Sequence, residues 1–100
     1  LHMDTDGNWI EADADQATTM PCSAMALESG TGVKKVLLQG FARDDTWNWT
    51  PGDIIYMSTT DGTLTATAPS GTGDQVQVIG VATHADRIYF NPSYVLVEIL

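Results

Sequence analysis

The chain is short of three things: cysteine, basic side chains and long apolar runs. It carries one cysteine in 100 residues, and four lysines and arginines against thirteen aspartates and glutamates. A lone thiol at Cys22 excludes an internal disulfide and any zinc site built on several thiolates, and it leaves the redox compartment open. Within Pro21-Cys22-Ser23-Ala24-Met25 it reads as a small buried side chain. The net charge of −9 creates a field that repels phosphates, and only Lys34, Lys35, Arg43 and Arg87 oppose it. A nucleic-acid partner is therefore excluded, and adhesion to an anionic membrane is disfavoured. No apolar run approaches the roughly 20 residues that cross a bilayer as a helix, so membrane insertion is not expected.

Helical periodicity is missing too. No window sustains the i, i+3, i+4, i+7 apolar spacing of a surface helix. The best helical segment, Ala12 to Thr19, is short, poor in apolar residues and ends in two β-branched threonines. It reads as a loop with at most one helical turn.

What the chain does have is turn residues, scattered evenly: Asp6-Gly7, Ser29-Gly30-Thr31-Gly32, Pro51-Gly52, Asp61-Gly62, Ser70-Gly71-Thr72-Gly73 and Asn91-Pro92. Between them lie short runs rich in Val, Ile, Thr, Tyr and Trp, the pattern of many strands joined by tight turns. The apolar share of 43% is ordinary for a globular protein. These features predict one all-β domain over 1–100, a small barrel or sandwich. Its strands are expected at 8–12, 22–28, 33–42, 53–58, 63–67, 75–83, 87–90 and 94–99. Val33 to Leu38 ends continuously apolar and reads as central. Tyr94-Val95-Leu96-Val97-Glu98-Ile99 has little solvent face before Glu98, so it reads as buried on both sides, in the core or against another subunit. A domain this small buries only about two thirds of its unfolded surface, and oligomerisation is a common remedy.

The chain also repeats itself. Met3-Asp4-Thr5-Asp6-Gly7 is echoed by Met57-Ser58-Thr59-Thr60-Asp61-Gly62. Each unit runs into an alternating stretch ending in alanine, Asn8-Trp9-Ile10-Glu11-Ala12 and Thr63-Leu64-Thr65-Ala66. Later come Ala24-Met25-Ala26-Leu27 and Ile79-Gly80-Val81-Ala82, all at an offset of 54 to 56 residues. The pattern predicts a duplicated hairpin, with Asp6-Gly7 and Asp61-Gly62 as its turns and glycine supplying positive φ. The second unit is preceded by Pro51-Gly52-Asp53-Ile54-Ile55-Tyr56, the first only by Leu1-His2. The chain is accordingly expected to be the C-terminal part of a longer protein.

Three constellations could carry chemistry. Asp4, Asp6, Glu11, Asp13 and Asp15 form the densest carboxylate group, and Asp4-x-Asp6-Gly7 partly imitates a calcium loop. An EF-hand register would place His2 at the first ligand and Asp13 at the bidentate one, and no helix carries it. Asp4, Asp6 and Asp13 are thus weak metal candidates against an acidic solvent face. Trp47 and Trp49 flank Asn48 beside Asp44 and Asp45; in an extended segment both indoles share a face. They suit a cover over the core, a subunit interface, or a platform for sugar rings with the polar neighbours reaching hydroxyls. His84 and Asp86 could orient an imidazole, but no nucleophile motif accompanies them, so a solvated turn histidine is the reading and no enzyme is expected. Ser29-Gly30-Thr31-Gly32 and Ser70-Gly71-Thr72-Gly73 lack the strand-to-helix context of a phosphate cradle. No cofactor is implied.

Gly52-Asp53-Ile54-Ile55-Tyr56-Met57-Ser58 followed by Asp61-Gly62, then Ile79-Gly80-Val81-Ala82, with Met20-Pro21 and Gly40 ahead of comparable turns, resembles small β domains of bacteriophage virion proteins. Capsid decoration proteins and C-terminal domains of tail-fibre-type proteins share this style. The likeness spans nearly the whole chain. It implies a barrel-like domain on the extracellular particle, often trimeric, with other virion proteins as partners and no catalytic residues. The chain departs from head decoration proteins in lacking an N-terminal arm, which tilts the expectation towards the tail. Expected contact residues are Trp47, Trp49, Asp45, Asn48 and Tyr94, for subunits or a host-surface glycan. A carbohydrate-binding module of a secreted or virion-associated protein is the alternative.

Overall fold

In the computed structural model, residues 1–28, 30, 32–60 and 62–99 are described. A hairpin lies at the centre of the main sheet. β9 (Val78–His84) and β10 (Arg87–Phe90) form an antiparallel hairpin across Ala85-Asp86, with Ile88 opposite Ala82, Tyr89 opposite Val81 and Phe90 opposite Gly80. Gly80 is needed there because a Cβ would run into the Tyr89 carbonyl oxygen. β5 (Gly40–Arg43) adds to the free edge of β10, and β6 (Ile54–Met57) to that of β9. β7 (Leu64–Thr65) closes the order as β5-β10-β9-β6-β7.

The remaining strands are two-residue ribbons. β1 (His2–Met3) pairs with β2 (Trp9–Ile10), β3 (Met25–Ala26) with β4 (Val36–Leu37), and β8 (Gln75–Val76) with β11 (Val97–Glu98). The only helical turn among the described residues is a 3₁₀ turn at Ala17–Thr19, inside the segment expected to be a loop with one turn. The protein is all-β, but the sheet does not close: β5 and β7 are open edges, so the barrel expectation is corrected.

Alternation decides the faces. Ala42, Ile55, Met57, Ala82, Ile88 and Phe90 point to one side of the five-stranded sheet and are buried. Onto this side fold Ala12, Ala14, Met20 and Cys22, with Met25, Leu37, Trp47, Trp49, Leu64 and Leu96 packed around them. Cys22 is buried, as its apolar surroundings suggested. The Met20–Pro21 peptide is cis. On the other side, Phe41 and Ile54 are 65% and 44% exposed.

Two strand expectations are overturned. Val33 to Leu38 is peripheral: it supplies only β4 of a ribbon, Val33 is fully exposed and Leu38 61% exposed. Tyr94 to Ile99 is not a core strand. Only Val97–Glu98 is a strand, and Tyr94, Val95 and Val97 are 70%, 71% and 56% exposed. The interior positions are held instead by β10, β9 and β6, which bond to neighbours on both edges. In Gln75-Val76-Gln77-Val78 both glutamines are buried and Val78 is exposed. Gln77 earns its place through three hydrogen bonds. Its Oε1 accepts the Cys22 amide at 2.8 Å, and its Nε2 donates to the Cys22 carbonyl at 2.7 Å and the Ser93 carbonyl at 2.6 Å. One side chain thereby ties three distant segments together.

The Met3 and Met57 units each form an antiparallel pair, with Met3 opposite Trp9 and Met57 opposite Leu64. Gly7 and Gly62 have φ of +82° and +67°; Asp61, half of the second expected turn, lies outside the described residues. The surroundings of the pairs differ, since the first is an isolated ribbon and the second an edge of the main sheet. Likewise Met25–Ala26 is a ribbon strand while Ile79–Ala82 lies in the central strand.

Candidate functional site

The segment between β5 and β6 places the tryptophans. Asp44 anchors its start: the Asp44 amide donates to the Asp86 carbonyl at 2.9 Å, while Asp44 Oδ1 accepts the Thr46 amide and hydroxyl at 2.9 and 2.7 Å. Those Thr46 donors hold the Asp44 carboxyl below its ordinary value. The Trp47 amide then donates to the Asp44 carbonyl, and the Trp49 amide to the Ala85 carbonyl at 2.8 Å. Gly52 (φ +94°) turns the chain into β6, its amide bonded to the Ala82 carbonyl. The segment is a folded loop, not a strand, and this changes the aromatic geometry. The two indoles lie 5.9 Å apart at 51° and are half-buried against the core. They are not coplanar, so the flat sugar-stacking platform does not form.

What forms instead is an open trough of about 1030 Å³. Trp47 and Trp49 line one part, and Trp9, Met25, Leu64 and Phe90 others, with Glu11, Glu28, Arg43 and Asp44 among its polar positions. The indole Nε1 of Trp49 is buried and has no hydrogen-bond partner among the described residues. Trp9 was not singled out in the sequence, although its place opposite Met3 follows from the Asp-Gly turn between them. Of the expected contact residues, the trough gathers only the two tryptophans. Asp45 pairs with Arg43 Nη2 at 3.1 Å with its side chain 84% exposed, Asn48 is exposed, and Tyr94 lies elsewhere.

The acidic N-terminal residues serve their own turns. Asp4 Oδ1 accepts the amides of Asp6 and Asn8, both at 2.9 Å, as an Asx turn does. Asp13 is buried and accepts the Asp15 amide at 3.0 Å. The Asp13 carboxyl also bonds the Asp15 side chain, which raises the Asp15 carboxyl above its ordinary value; burial and the negative charges of Asp13 and Asp74 act in the same direction. Glu11 is exposed and lies against Gly62. Among the described residues no group of three His, Cys, Asp or Glu is placed to hold a metal ion.

His84 and Asp86 do meet, Nδ1 to Oδ1 at 2.8 Å, at the exposed β9–β10 turn. This bond, opposed by partial burial and assisted by the charge of Arg43, holds the Asp86 carboxyl below its ordinary value. Arg43 Nε completes the cluster at 3.1 Å from Asp86, and Arg87 lies over the Phe41 ring, 5.9 Å from its centre. No serine, threonine or cysteine hydroxyl or thiol bonds the imidazole among the described contacts. Comparison with protein-family models, curated proteins and solved structures finds no match to this chain.

Proposed function

We propose that this domain is a structural and adhesive part of a bacteriophage particle, of the tail-fibre or capsid-surface type, and that it works by assembling with copies of itself, three being the favoured number. On this reading it sits on the extracellular particle and meets other virion proteins. The observation that carries it is the apolar strip Tyr94-Val95-Val97, more than half exposed in the single chain. Side chains of this kind are normally withdrawn from water, and a neighbouring subunit is the simplest means. The Gly-turned all-β framework and its resemblance to virion β domains support the same reading. So does the docking of the two Met-turn units: the Gly62 amide bonds the Ala12 carbonyl and the Ala14 amide the Ser58 carbonyl, both at 2.9 Å, as tandem copies of one hairpin folded together would. Static light scattering on the chain tests the assembly. A strict monomer at high micromolar concentration overturns it.

The trough supports a second reading, a carbohydrate-binding module that takes a sugar into a cleft. Three indoles and several carboxylates line one concave surface, and aromatic faces with polar edges suit pyranose rings. Glycan titration followed by tryptophan fluorescence tests it, and no response across a broad panel removes it.

A further inference from the structure

We infer that the trough receives an extended segment of another protein, added as a strand along the open edge of β5. The inference goes beyond the self-assembly reading and gives the trough a different occupant from the sugar. Phe41, Ala42 and Arg43 of β5, and Asp44 after it, all line the trough. Successive side chains of a strand point to opposite faces, so a cavity that meets all four runs along the edge. The Asp44 amide donates to the Asp86 carbonyl at 2.9 Å, and Ala42 lies opposite Ile88. Bonding to β10 therefore falls on Asp44, Ala42 and Gly40, since alternate residues of an antiparallel strand face each edge. The N–H and C=O groups of Phe41 and Arg43 point away from β10, where no strand pairs with β5. They have no hydrogen-bond partner among the described residues. β3 repeats the arrangement: Ala24 to Glu28 line the trough, and the Leu27 amide donates to the Lys35 carbonyl, which leaves the Ala26 groups facing outward.

The chemistry of the site selects the occupant. Free N–H and C=O groups along a strand edge are matched by another extended backbone. Side chains of that segment entering the trough meet Trp47, Trp49, Leu64 and Phe90, and apolar groups fit there. Charge sets the rest. Glu11, Glu28 and Asp44 line the trough, and none of them is in an ion pair among the described residues. Arg43 is the only basic side chain among the described lining residues, and Asp45 and Asp86 already hold it, each at 3.1 Å. An acidic rim on a chain of charge −9 attracts lysine or arginine and repels carboxylates. The occupant is thus a segment in which apolar and basic residues alternate. This chain offers no such segment, because its basic residues are Lys34 and Lys35, side by side, and the isolated Arg43 and Arg87. The partner is therefore a different protein, not a second copy. The four residues of β5 span about 13 Å at about 3.3 Å each. Pairing over so short an edge gives micromolar rather than nanomolar affinity.

The probe is a synthetic peptide, acetyl-Lys-Val-Lys-Val-Lys-Val-amide, titrated into the full chain. All three tryptophans line the trough, so intrinsic fluorescence reads its occupancy. The response should saturate with a micromolar midpoint, about tenfold below that of the same peptide with glutamate for lysine. The peptide N-methylated at every residue keeps its charges but cannot pair with an edge, and its binding should be lost. Amide hydrogen exchange followed by NMR supplies the geometry. Exchange at Phe41 and Arg43 should slow about tenfold on binding, while Ala42, already bonded to β10, changes little. Glu11→Gln with Glu28→Gln should weaken the lysine peptide several-fold with unchanged circular dichroism. Equal binding of the acidic or the N-methylated peptide, unaltered exchange at Phe41 and Arg43, or no response at millimolar peptide overturns the inference. A fluorescence response to glycans with none to the peptide also overturns it and leaves the sugar reading standing. Self-assembly is read separately by light scattering and survives either result.

Discussion

Replacing Gln77 should cost this protein much of its stability. The residue is fully buried, and its amide makes three hydrogen bonds of 2.6 to 2.8 Å to the Cys22 amide, the Cys22 carbonyl and the Ser93 carbonyl. Gln77→Leu keeps most of the volume and orphans all three groups. Each buried orphan costs about 1–3 kcal/mol, and water entering the small space could recover part of it, so the expected loss is about 3–6 kcal/mol. Domains of this size have about 5–15 kcal/mol in total. At about 4–8 °C per kcal/mol, the melting temperature should fall by at least about 12 °C. Urea unfolding followed by circular dichroism measures the loss. Gln77→Ala should be at least as damaging, because it adds a cavity. Gln77→Glu keeps the acceptor for the Cys22 amide but turns its second oxygen towards two carbonyls. Its carboxyl should be raised in the folded state, so its stability deficit should shrink as pH falls and the acid becomes a donor. If Gln77→Leu lies within about 1 kcal/mol of the parent, the site is held by packing and the hydrogen-bond argument fails.

Gly80→Ala should destabilise by at least about 1–3 kcal/mol, because the added methyl collides with the Tyr89 carbonyl; an unchanged denaturation midpoint would show that β9 and β10 lie further apart. Asp86 and Asp44 are held below their ordinary value of 3.8, so their contribution is present above that pH and lost as pH falls through the lower folded values. Asp86→Asn should therefore flatten the acid limb of a stability–pH profile, and an identical limb would refute the assignment. Asp15 is raised from 3.8, with the opposite sign: the folded state holds the proton more tightly, and stability falls as pH rises through the raised value. Asp15→Asn should consequently stabilise at neutral pH and have little effect below pH 3.8, which thermal melts at both ends would check. Trp47→Ala should cost about 1.5–3 kcal/mol if the half-buried indole packs against the core, whereas a platform residue would be removed with little loss in urea unfolding.

Local chemistry fixed a good deal in advance. The glycine turns, the β9 and β10 segments, the single helical turn near Thr19 and the buried Cys22 all follow from φ preferences, β-branched content and apolar neighbours, which act over a few residues. Burial of the tryptophan pair against the core was one of three readings open for it, and loop hydrogen bonds from Trp47 and Trp49 to Asp44 and Ala85 settled their tilt. Other features were decided only by contacts across the chain. Tyr94 to Ile99 has the most apolar pattern, yet only Val97–Glu98 pairs, in a two-stranded ribbon with β8, while β10, β9 and β6 hold the interior of the main sheet. Gln77 faces inward, where the backbone at Cys22 and Ser93 needs a donor and an acceptor that no valine could supply. The row of Phe41, Tyr89, Val81 and Ile54 needs four strands drawn from residues 41 to 89, and only pairing register brings them into line. Sequence pattern specifies which residues prefer a strand; which face of that strand meets the core is set by the neighbours it acquires.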